Sequence, residues 1–336
     1  MRAVTVHGAG DLRVDQVPVP EGGPGTALVD IVYGGVCGSD LHYYHRGAVG
    51  DFTLREPLVV GHEVVGRVRS APGWEPGTPV AVHPATPCDR CPECLSGRRN
   101  ICRDTRYLGS AARFPHIQGG FRDVLAVPVG QLRAVPEGVD LRLAAVAEPL
   151  AVATHAVGRA GEVRGRRCLV TGAGPIGALT VAVLAARGAA EIVVSDLAPA
   201  ALAVARAVGA THTVLASDLA DDRAVVDVDV AVEASGSAPG LAAAINATRR
   251  GGTVVQLGLL PPGTTPFPGN LLVTREVELR GAFRFDHELD EALALLAGGL
   301  PVAPVITHEM AVEDAVAAFD TAGDRAVASK VLLHFR

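Results

Sequence analysis

A glycine-rich turn between an apolar run and a helical stretch constrains this chain more than any other feature of its sequence. The run Arg167–Thr171 has the character of a buried strand, and residues 178–187 are rich in alanine. Between them lie Gly172, Ala173, Gly174, Pro175, Ile176 and Gly177. In a dinucleotide-binding unit the first glycine forms the tight turn, the second lets backbone approach a pyrophosphate, and the third lets the helix pack closely. A chain with 39 glycines can also carry this spacing as a simple turn, but the flanking strand and helix favour a dinucleotide site.

An acidic residue follows the next apolar run. Residues 191–195 lead into Asp196, which stands where a carboxylate binds the hydroxyls of the adenosine ribose. Its charge would repel a 2′-phosphate, and residues 197–202 contain no arginine that would accept one. The pattern therefore predicts NAD, with NADP less favoured. The predicted cofactor-binding residues are Gly172, Gly174, Pro175, Ile176, Gly177 and Asp196. The alternative role for Asp196 is to cap a helix that begins near Pro199.

The pattern of apolar and polar residues changes near residue 148. Before about residue 136, short alternating segments are separated by turn clusters, which is typical of a β-rich domain. After residue 144, alanine-rich helical stretches alternate with compact apolar runs at 168–171, 191–195, 228–233 and 253–258. That alternation predicts an α/β fold with a Rossmann doubly wound parallel sheet. We predict a catalytic domain at 1–149, a dinucleotide-binding domain at 150–287, and a return to the first domain at 288–336.

Charge and hydropathy argue against several classes of partner. The formal net charge of the 336 residues is −6, which offers no basic surface to nucleic acid or to an anionic membrane. The apolar run at 178–186 is far shorter than the roughly 20 residues that cross a bilayer. The N-terminus carries no apolar signal segment, so we expect a cytoplasmic protein. Thiols stay reduced there, and four of the six cysteines crowd into fifteen residues, which indicates metal binding rather than disulfides.

Four cysteines crowd into one short segment. They are Cys88, Cys91, Cys94 and Cys102. Four thiolates complete the tetrahedral coordination of one zinc ion and leave no open position for chemistry, so this site is predicted to be structural. An iron–sulfur cluster also uses four cysteines, but nothing else in the sequence indicates electron transfer. Two disulfides are the third alternative.

A second set of metal-ligand types is spread along the chain. Cys37 is followed by Gly38, Ser39 and Asp40, whereas His62 and Glu63 follow the apolar run 57–60. Thiolate, imidazole and carboxylate are the ligands of a catalytic zinc that keeps one position open for substrate. Taken singly, a cysteine is usually a small buried apolar residue and a His-Glu pair an ordinary surface feature. Only the fold can bring these residues together.

Taken together, these motifs resemble the zinc-containing medium-chain dehydrogenases over essentially the whole chain. The resemblance rests on 35–42, 61–63, the four-cysteine segment, Glu148 with Pro149, and 172–177. Within that superfamily the chain is similar to the polyol branch, the sorbitol dehydrogenases and especially the L-idonate 5-dehydrogenases. The segments that carry this closer likeness are 37–44, 114–120, 147–155 and 281–285. The alcohol dehydrogenase branch has a cysteine at the position of Glu148, so this departure points away from simple alcohols.

The resemblance implies a GroES-like fold for the first domain and roles for individual residues. It implies a catalytic zinc on Cys37 and His62, with Glu63 and Glu148 competing for the carboxylate position. It further implies a proton relay through Ser39 and His42, and a substrate pocket that includes Tyr43, Phe114 and Arg284. A surface histidine is the alternative for His42, and a structural salt bridge is the alternative for Arg284.

The expected function is zinc-dependent, NAD-linked oxidation of a secondary hydroxyl on a sugar acid or polyol. The resemblance favours L-idonate, which would give 5-ketogluconate. A sorbitol or xylitol dehydrogenase is the alternative within the enzymes, and a noncatalytic NAD-binding protein is the alternative outside them. Two zinc ions per chain and a homodimer or homotetramer are expected.

Overall fold

The computed structural model describes residues 1–219 and 227–335. Its first region consists mainly of short strands. Along the strand Thr26–Gly35, buried residues alternate with partly exposed ones, so that one face of the sheet meets the core. In chain order the elements are β1 (Arg2–Gly8), β2 (Asp11–Gln16), β3 (Thr26–Gly35), α1 (Gly38–Arg46), β4 (Ala48–Val49), β5 (Phe52–Thr53), β6 (Leu58–Val59), β7 (Glu63–Ser70), β8 (Pro79–Val82), β9 (Ala85–Thr86), α2 (Pro92–Leu95), β10 (Arg106–Tyr107), β11 (Val124–Pro128), β12 (Leu132–Ala134) and α3 (Leu141–Ala144).

The pairing of β3 with β7 sets the geometry of this region. The two strands run antiparallel, and their register places Gly35 opposite Glu63. β8 and β12 continue the sheet beyond β7, while β11 pairs with β3. The chain that leaves β3 and the chain that enters β7 therefore meet at one edge of the sheet.

The second region is an α/β unit. Its elements are α4 (Ala147–Ala160), β13 (Arg167–Thr171), α5 (Pro175–Ala186), β14 (Glu191–Asp196), α6 (Pro199–Ala207), β15 (His212–Leu215), β16 (Val228–Glu233), α7 (Ala238–Ala247), β17 (Thr248–Gln256), α8 (Gly269–Arg275) and β18 (Glu278–Gly281). The described strands all run parallel in the order β15-β14-β13-β16-β17-β18. The order reverses between β13 and β16, so a crevice opens at the carboxyl ends of these two strands.

The central strands are apolar because helices cover both faces of the sheet. From Cys168 to Thr171 every residue of β13 is buried, and most of β16 is buried as well. Most of α5 is also buried, which explains its nearly continuous apolar sequence. The predicted fold class is confirmed. β17 begins at Thr248, five residues before the apolar run at 253–258, because polar residues continue the strand at its exposed end.

The last elements of the chain lie against both regions. They are α9 (Glu288–Ala297), β19 (Ile306–Ala311), α10 (Ala315–Gly323) and β20 (Lys330–His334). β20 pairs antiparallel with β3, and β19 extends the same sheet beyond it. By contrast, α9 packs on α4 and contributes Leu289 and Leu293 to the core of the α/β unit. The boundaries at residues 149 and 287 stay a prediction. No helix in the two described ranges is long and apolar enough to cross a membrane.

Candidate active site

Three of the predicted zinc ligands come together at the edge where β3 and β7 meet. One ligand atom from each of Cys37, His62 and Glu63 lies within 4.8 Å of the others. Cys37 precedes the first residue of α1, whereas Glu63 is the first residue of β7. Because Gly35 has no side chain, the Glu63 carboxylate fits against it, where a Cβ would collide. Thiolate, imidazole and carboxylate at this spacing fit a single zinc ion.

Asp40 joins the two loops that carry these ligands. Its side chain is fully buried and accepts hydrogen bonds from the backbone N–H of Cys37 and of Gly61, both at 3.0 Å. One of its oxygens also lies 3.9 Å from Nδ1 of His62. A carboxylate near a metal-binding imidazole orients the ring, so Asp40 supports the ligand set without belonging to it.

A buried lysine neutralises Glu63. Nζ of Lys330 donates to both carboxylate oxygens of Glu63, at 2.8 and 2.7 Å, and to the carbonyl of Val36 at 3.0 Å. Burial lowers the pKa of Lys330, but the charges of Glu63 and Cys37 outweigh it and raise the pKa. The ammonium therefore stays charged within the core.

The imidazole of His62 responds to the negative charge around it. Burial lowers its pKa, but the charge and hydrogen bond of Cys37 and the charges of Asp40 and Glu148 outweigh that effect and raise the pKa to about 10. This concentration of negative charge attracts a cation. A bound divalent ion would replace the imidazole proton, because metal ligands must be deprotonated.

Glu148 stands beside the set but has a different partner. It lies in the first turn of α4, and its carboxylate accepts a hydrogen bond from the hydroxyl of Tyr107 at 2.9 Å. Burial raises its pKa to about 7, and the negative charge of Glu63 acts in the same direction. Glu148 thus supplies a second carboxyl group close to the ligand set.

The four-cysteine segment forms a compact cluster of its own. The Sγ atoms of Cys91 and Cys94 are 3.4 Å apart, and those of Cys91 and Cys102 are 3.8 Å apart. All four cysteines are free, which excludes the disulfide alternative in this structure. Four sulfurs about 2.3 Å from one tetrahedral ion lie about 3.8 Å from each other, so these spacings fit a single zinc.

The glycine turn after β13 has the shape that a dinucleotide site requires. Gly172 has a φ of 92°, and a Cβ there would come within 2.6 Å of the backbone nitrogen of Ser235. A Cβ on Gly177 would collide with the Gly172 carbonyl, whereas a Cβ on Gly174 would meet nothing within 4 Å. The backbone at Gly174 is therefore open to a ligand, and Pro175 and Ile176 start the helix behind it.

Asp196 has two backbone donors in this structure. Its carboxylate accepts from the N–H of Ala173 at 2.7 Å and of Ala198 at 2.8 Å. The contact with Ala198 closes a turn before α6 and does not cap the helix, because the N-cap residue of α6 is Ala198 itself and the helix has no side-chain capping bond. The contact with Ala173 ties Asp196, at the carboxyl end of β14, to the glycine turn.

Comparison with known proteins gives the same combination of domains. The model of the alcohol dehydrogenase GroES-like domain matches residues 23–137, and that of the zinc-binding dehydrogenases matches residues 175–298. L-idonate 5-dehydrogenase (NAD(P)(+)) of Escherichia coli K12 is 40% identical over 92% of this chain and 91% of its own length. The chain belongs to the zinc-binding dehydrogenases. The predicted family and enzyme class are thereby confirmed.

Other zinc-binding dehydrogenases extend the comparison. Sorbitol dehydrogenase of Gallus gallus is 35% identical over 95% of this chain and 92% of its own length. The crystal structure of the Escherichia coli L-idonate 5-dehydrogenase superimposes with a TM-score of 0.94, at 37% identity, covering 99% of this chain and 98% of that one.

In this zinc-binding dehydrogenase the predicted relay residues lie on α1. Ser39 and His42 are half-buried and three residues apart, so they lie on neighbouring positions of one helix face. Burial lowers the pKa of His42, and the positive charges of Arg46 and Arg325 lower it further. A neutral imidazole that still reaches solvent is suited to accepting a proton.

The predicted pocket residues fall into two groups. Tyr43 is buried, and its hydroxyl accepts from the N–H of Ala111 at 2.9 Å. The Arg284 guanidinium carbon lies 4.4 Å from the centre of the Tyr107 ring. Phe114 is 59% exposed and packs under the Arg55 guanidinium, so its place in the pocket stays a prediction.

Arg284 does not form the salt bridge that was its alternative role. Within the described ranges, no carboxylate lies within ion-pair distance of its guanidinium. Burial lowers its pKa, while Tyr107 and Glu148 act in the opposite direction. The guanidinium is therefore available to a polar ligand.

Sequence reasoning missed three residues of this site. Asp40, Tyr107 and Lys330 each contact a ligand or a neighbouring carboxylate. Asp40 had a detectable signal, since it stands three residues after Cys37 at the start of a helix, where aspartate side chains bind backbone N–H groups. Tyr107 and Lys330 had none, because only tertiary packing brings them here.

Proposed function

We propose that this chain is an NAD-linked dehydrogenase that oxidises a secondary hydroxyl of a sugar acid or polyol, with L-idonate as the favoured substrate and 5-ketogluconate as its product. The observation that carries the proposal is the convergence of Cys37, His62 and Glu63 in a chain that also has an open glycine turn after β13. The names of the relatives, an L-idonate 5-dehydrogenase and sorbitol dehydrogenases, indicate the substrate class.

In this proposal Cys37, His62 and Glu63 hold the catalytic zinc. We assign the carboxylate position to Glu63 rather than Glu148, because its oxygen lies within 4.8 Å of the other two ligands. Lys330 occupies part of the Glu63 carboxylate, but a carboxylate offers about four lone-pair positions. Bound zinc lowers the pKa of a hydroxyl that approaches its open position. Cys88, Cys91, Cys94 and Cys102 hold the second, structural zinc.

The substrate proton leaves through α1. The Ser39 hydroxyl, two residues beyond Cys37, accepts the proton as it donates its own toward His42, and His42 releases a proton to solvent. The neutral state that burial and nearby arginines impose on His42 supports this direction. Bound nicotinamide supplies the acceptor for the hydride.

The far end of the substrate lies toward Arg284 and Tyr43. A guanidinium that pairs with no carboxylate among the described residues fits the carboxylate of a sugar acid and also the hydroxyls of a polyol. A sorbitol or xylitol dehydrogenase is therefore the second candidate. Steady-state kinetics on L-idonate, D-gluconate, sorbitol and xylitol, followed by NAD reduction, separates the two. If none of the four is oxidised by enzyme that carries two zinc ions per chain, the proposal is wrong.

The cofactor preference depends on Asp196. We propose NAD rather than NADP, because the Asp196 carboxylate at the end of β14 would repel a 2′-phosphate. Asp196→Ala should lower the ratio of kcat/KM for NAD to that for NADP about 10-fold or more. An unchanged ratio would limit Asp196 to its backbone hydrogen bonds with Ala173 and Ala198. We also propose a closed homodimer or homotetramer, which sedimentation would distinguish.

A further inference from the structure

Arg284 is held in an unusual backbone conformation. Its φ is 54°, in the left-handed region that residues with a Cβ rarely adopt. Its guanidinium lies between the rings of Tyr107 and Phe283, at 4.4 and 4.6 Å from their centres. Such a conformation persists only where the surroundings fix the backbone. The contacts of the loop 283–288 show what fixes it.

Hydrogen bonds to two other parts of the molecule, and one within the loop itself, hold this loop in place. Nδ2 of Asn100 donates to the carbonyl of Phe283 at 2.9 Å, directly before Arg284. The carbonyl of Asp286 accepts from Nε2 of His83 at 2.9 Å, and the N–H of Asp286 donates to Glu288 at 2.8 Å. The residues on both sides of Arg284 are therefore tied down.

Asn100 belongs to the four-cysteine segment. It lies in the 3₁₀ helix Arg99–Ile101, is only 9% exposed, and stands two residues before Cys102. Its side chain also lies 3.4 Å from Nε2 of His155, whose Nδ1 is 2.7 Å from the Glu288 carboxylate. The metal-binding segment thus has a direct connection to the loop that carries Arg284.

His155 connects the same network to the catalytic region. It lies seven residues after Glu148 on α4, which places the two side chains on one face of the helix, two turns apart. Burial raises the pKa of Glu288, but hydrogen bonds from His155 and the backbone of Asp286 outweigh it and hold the pKa at about 2. The His155 ring and the Glu288 carboxylate form a hydrogen-bonded pair next to the Arg284 loop.

We propose that Asn100 is a positioning residue for substrate recognition: the four-cysteine segment uses its side chain to fix the Phe283 carbonyl and so to aim the Arg284 guanidinium over Tyr107. The inference rests on the proposed function, because it assigns the far end of the substrate to Arg284. It gives the structural metal segment a role in specificity in addition to its role in stability.

The first test is a double-mutant cycle of Asn100→Ala and Arg284→Ala. For whichever sugar acid or polyol the wild-type enzyme oxidises, Asn100→Ala should raise KM about 10-fold with kcat within about twofold, as expected for a lost buried hydrogen bond. Its KM for NAD should not change. The double variant should be no worse than Arg284→Ala alone, since both substitutions remove one interaction. Additive effects on KM would overturn the proposal.

A truncated substrate and a control variant sharpen this test. With 1,2-propanediol, a short diol that keeps the reacting carbon and its hydroxymethyl neighbour but has no far end, Asn100→Ala should behave as wild type. Asn246→Ala changes an exposed asparagine on α7 and should leave every constant unchanged. If Asn100→Ala loses zinc or fails to fold, Glu288→Gln replaces it, because this substitution loosens the same loop without touching the cysteine segment. If Asn100→Ala raised KM equally for the long substrate and the truncated one, this result would contradict a positioning role.

The second test does not depend on turnover. Hydrogen–deuterium exchange of a peptide spanning 282–288 should be faster in Asn100→Ala than in wild type, with the zinc content unchanged. Unchanged exchange would overturn the inference, even for an active enzyme. If wild type oxidises none of the panel but the exchange difference is present, the proposed substrate class fails while Asn100 keeps its role in fixing the loop.

Discussion

The two metal-ligand clusters of this chain are built in opposite ways. The four-cysteine cluster takes all its ligands from residues 88–102, and backbone N–H groups of Cys88 and Asp104 point at the sulfur of Cys102. The other cluster takes Cys37, His62 and Glu63 from two loops, and its Glu63 is paired with a lysine 267 residues away. One cluster is a local structure, and the other exists only once the sheet has formed.

This difference indicates which cluster does chemistry. Thiolates alone fill a tetrahedron and leave nothing to react. The cluster with Cys37 is surrounded by buried groups of both signs, namely Asp40, Glu148 and Lys330. Burying that many charges is costly, so their presence is better explained by catalysis than by stability.

The largest expected effect is on activity and tests the cluster of Cys37, His62 and Glu63. Cys37→Ser should lower kcat/KM about 1,000-fold or more, because a catalytic zinc ligand is lost, while the midpoint of thermal unfolding stays close to that of wild type. Cys168→Ala, a cysteine of the β13 core, is the matched control and should remain active. Elemental analysis should find two zinc ions in wild type and one in Cys37→Ser. One zinc or fewer in carefully prepared wild type would refute the two-site assignment.

The next effect is on stability and tests the buried charges. Lys330→Met should cost about 3–5 kcal/mol in the free energy of unfolding, because it leaves the Glu63 carboxylate buried without its ammonium partner. The cost should be smaller in zinc-loaded than in chelator-treated protein, since the ion replaces part of the missing positive charge. Denaturant unfolding of both forms measures the difference. Lys330→Arg keeps the charge and should recover part of the loss.

A substitution in the four-cysteine cluster should affect stability more than activity, which is the reverse of Cys37→Ser. Cys91→Ser should lower the free energy of unfolding by about 3 kcal/mol, because a structural site contributes its binding energy to folding. The protein that remains folded should keep its zinc at Cys37 and His62. If Cys91→Ser instead abolished activity with no change in stability, the contrast between the two clusters would be wrong.

The smallest effect concerns the hydrogen-bonded pair of His155 and Glu288. Glu288→Gln should cost about 2 kcal/mol at pH 7, because the charged hydrogen bond to His155 is lost. The folded pKa of Glu288 lies near 2, below its ordinary value of 4.5, so the stabilisation is complete above pH 4.5 and declines as the pH falls toward 2. Denaturant titrations of both proteins between pH 7 and pH 3 should show their difference shrinking only below pH 4.5. A difference that grows in acid would contradict this pKa.

Part of the candidate site could be predicted because the residues that indicate it are close together in the sequence. The order of strand, Gly172 turn and helix is fixed by residues that are neighbours in the chain, and the spacing of the four cysteines places their sulfurs together within one short segment. Propensity and spacing act over such distances. The residue types of the distant ligands Cys37, His62 and Glu63 could also be predicted, although no local spacing specified the distances between them.

Only the tertiary structure decided which side chains surround those ligands. Lys330 reaches Glu63 because β20 pairs with β3, and Tyr107 reaches Glu148 because the cysteine segment packs near α4. The loop with the left-handed backbone of Arg284 receives a hydrogen bond from Asn100 at the Phe283 carbonyl, across 183 residues of chain. Sequence alone determined the elements and the ligand types, since these follow from local periodicity and chemistry. Pairing, burial and charge balance required the closed sheet, because they arise between residues that no local pattern connects.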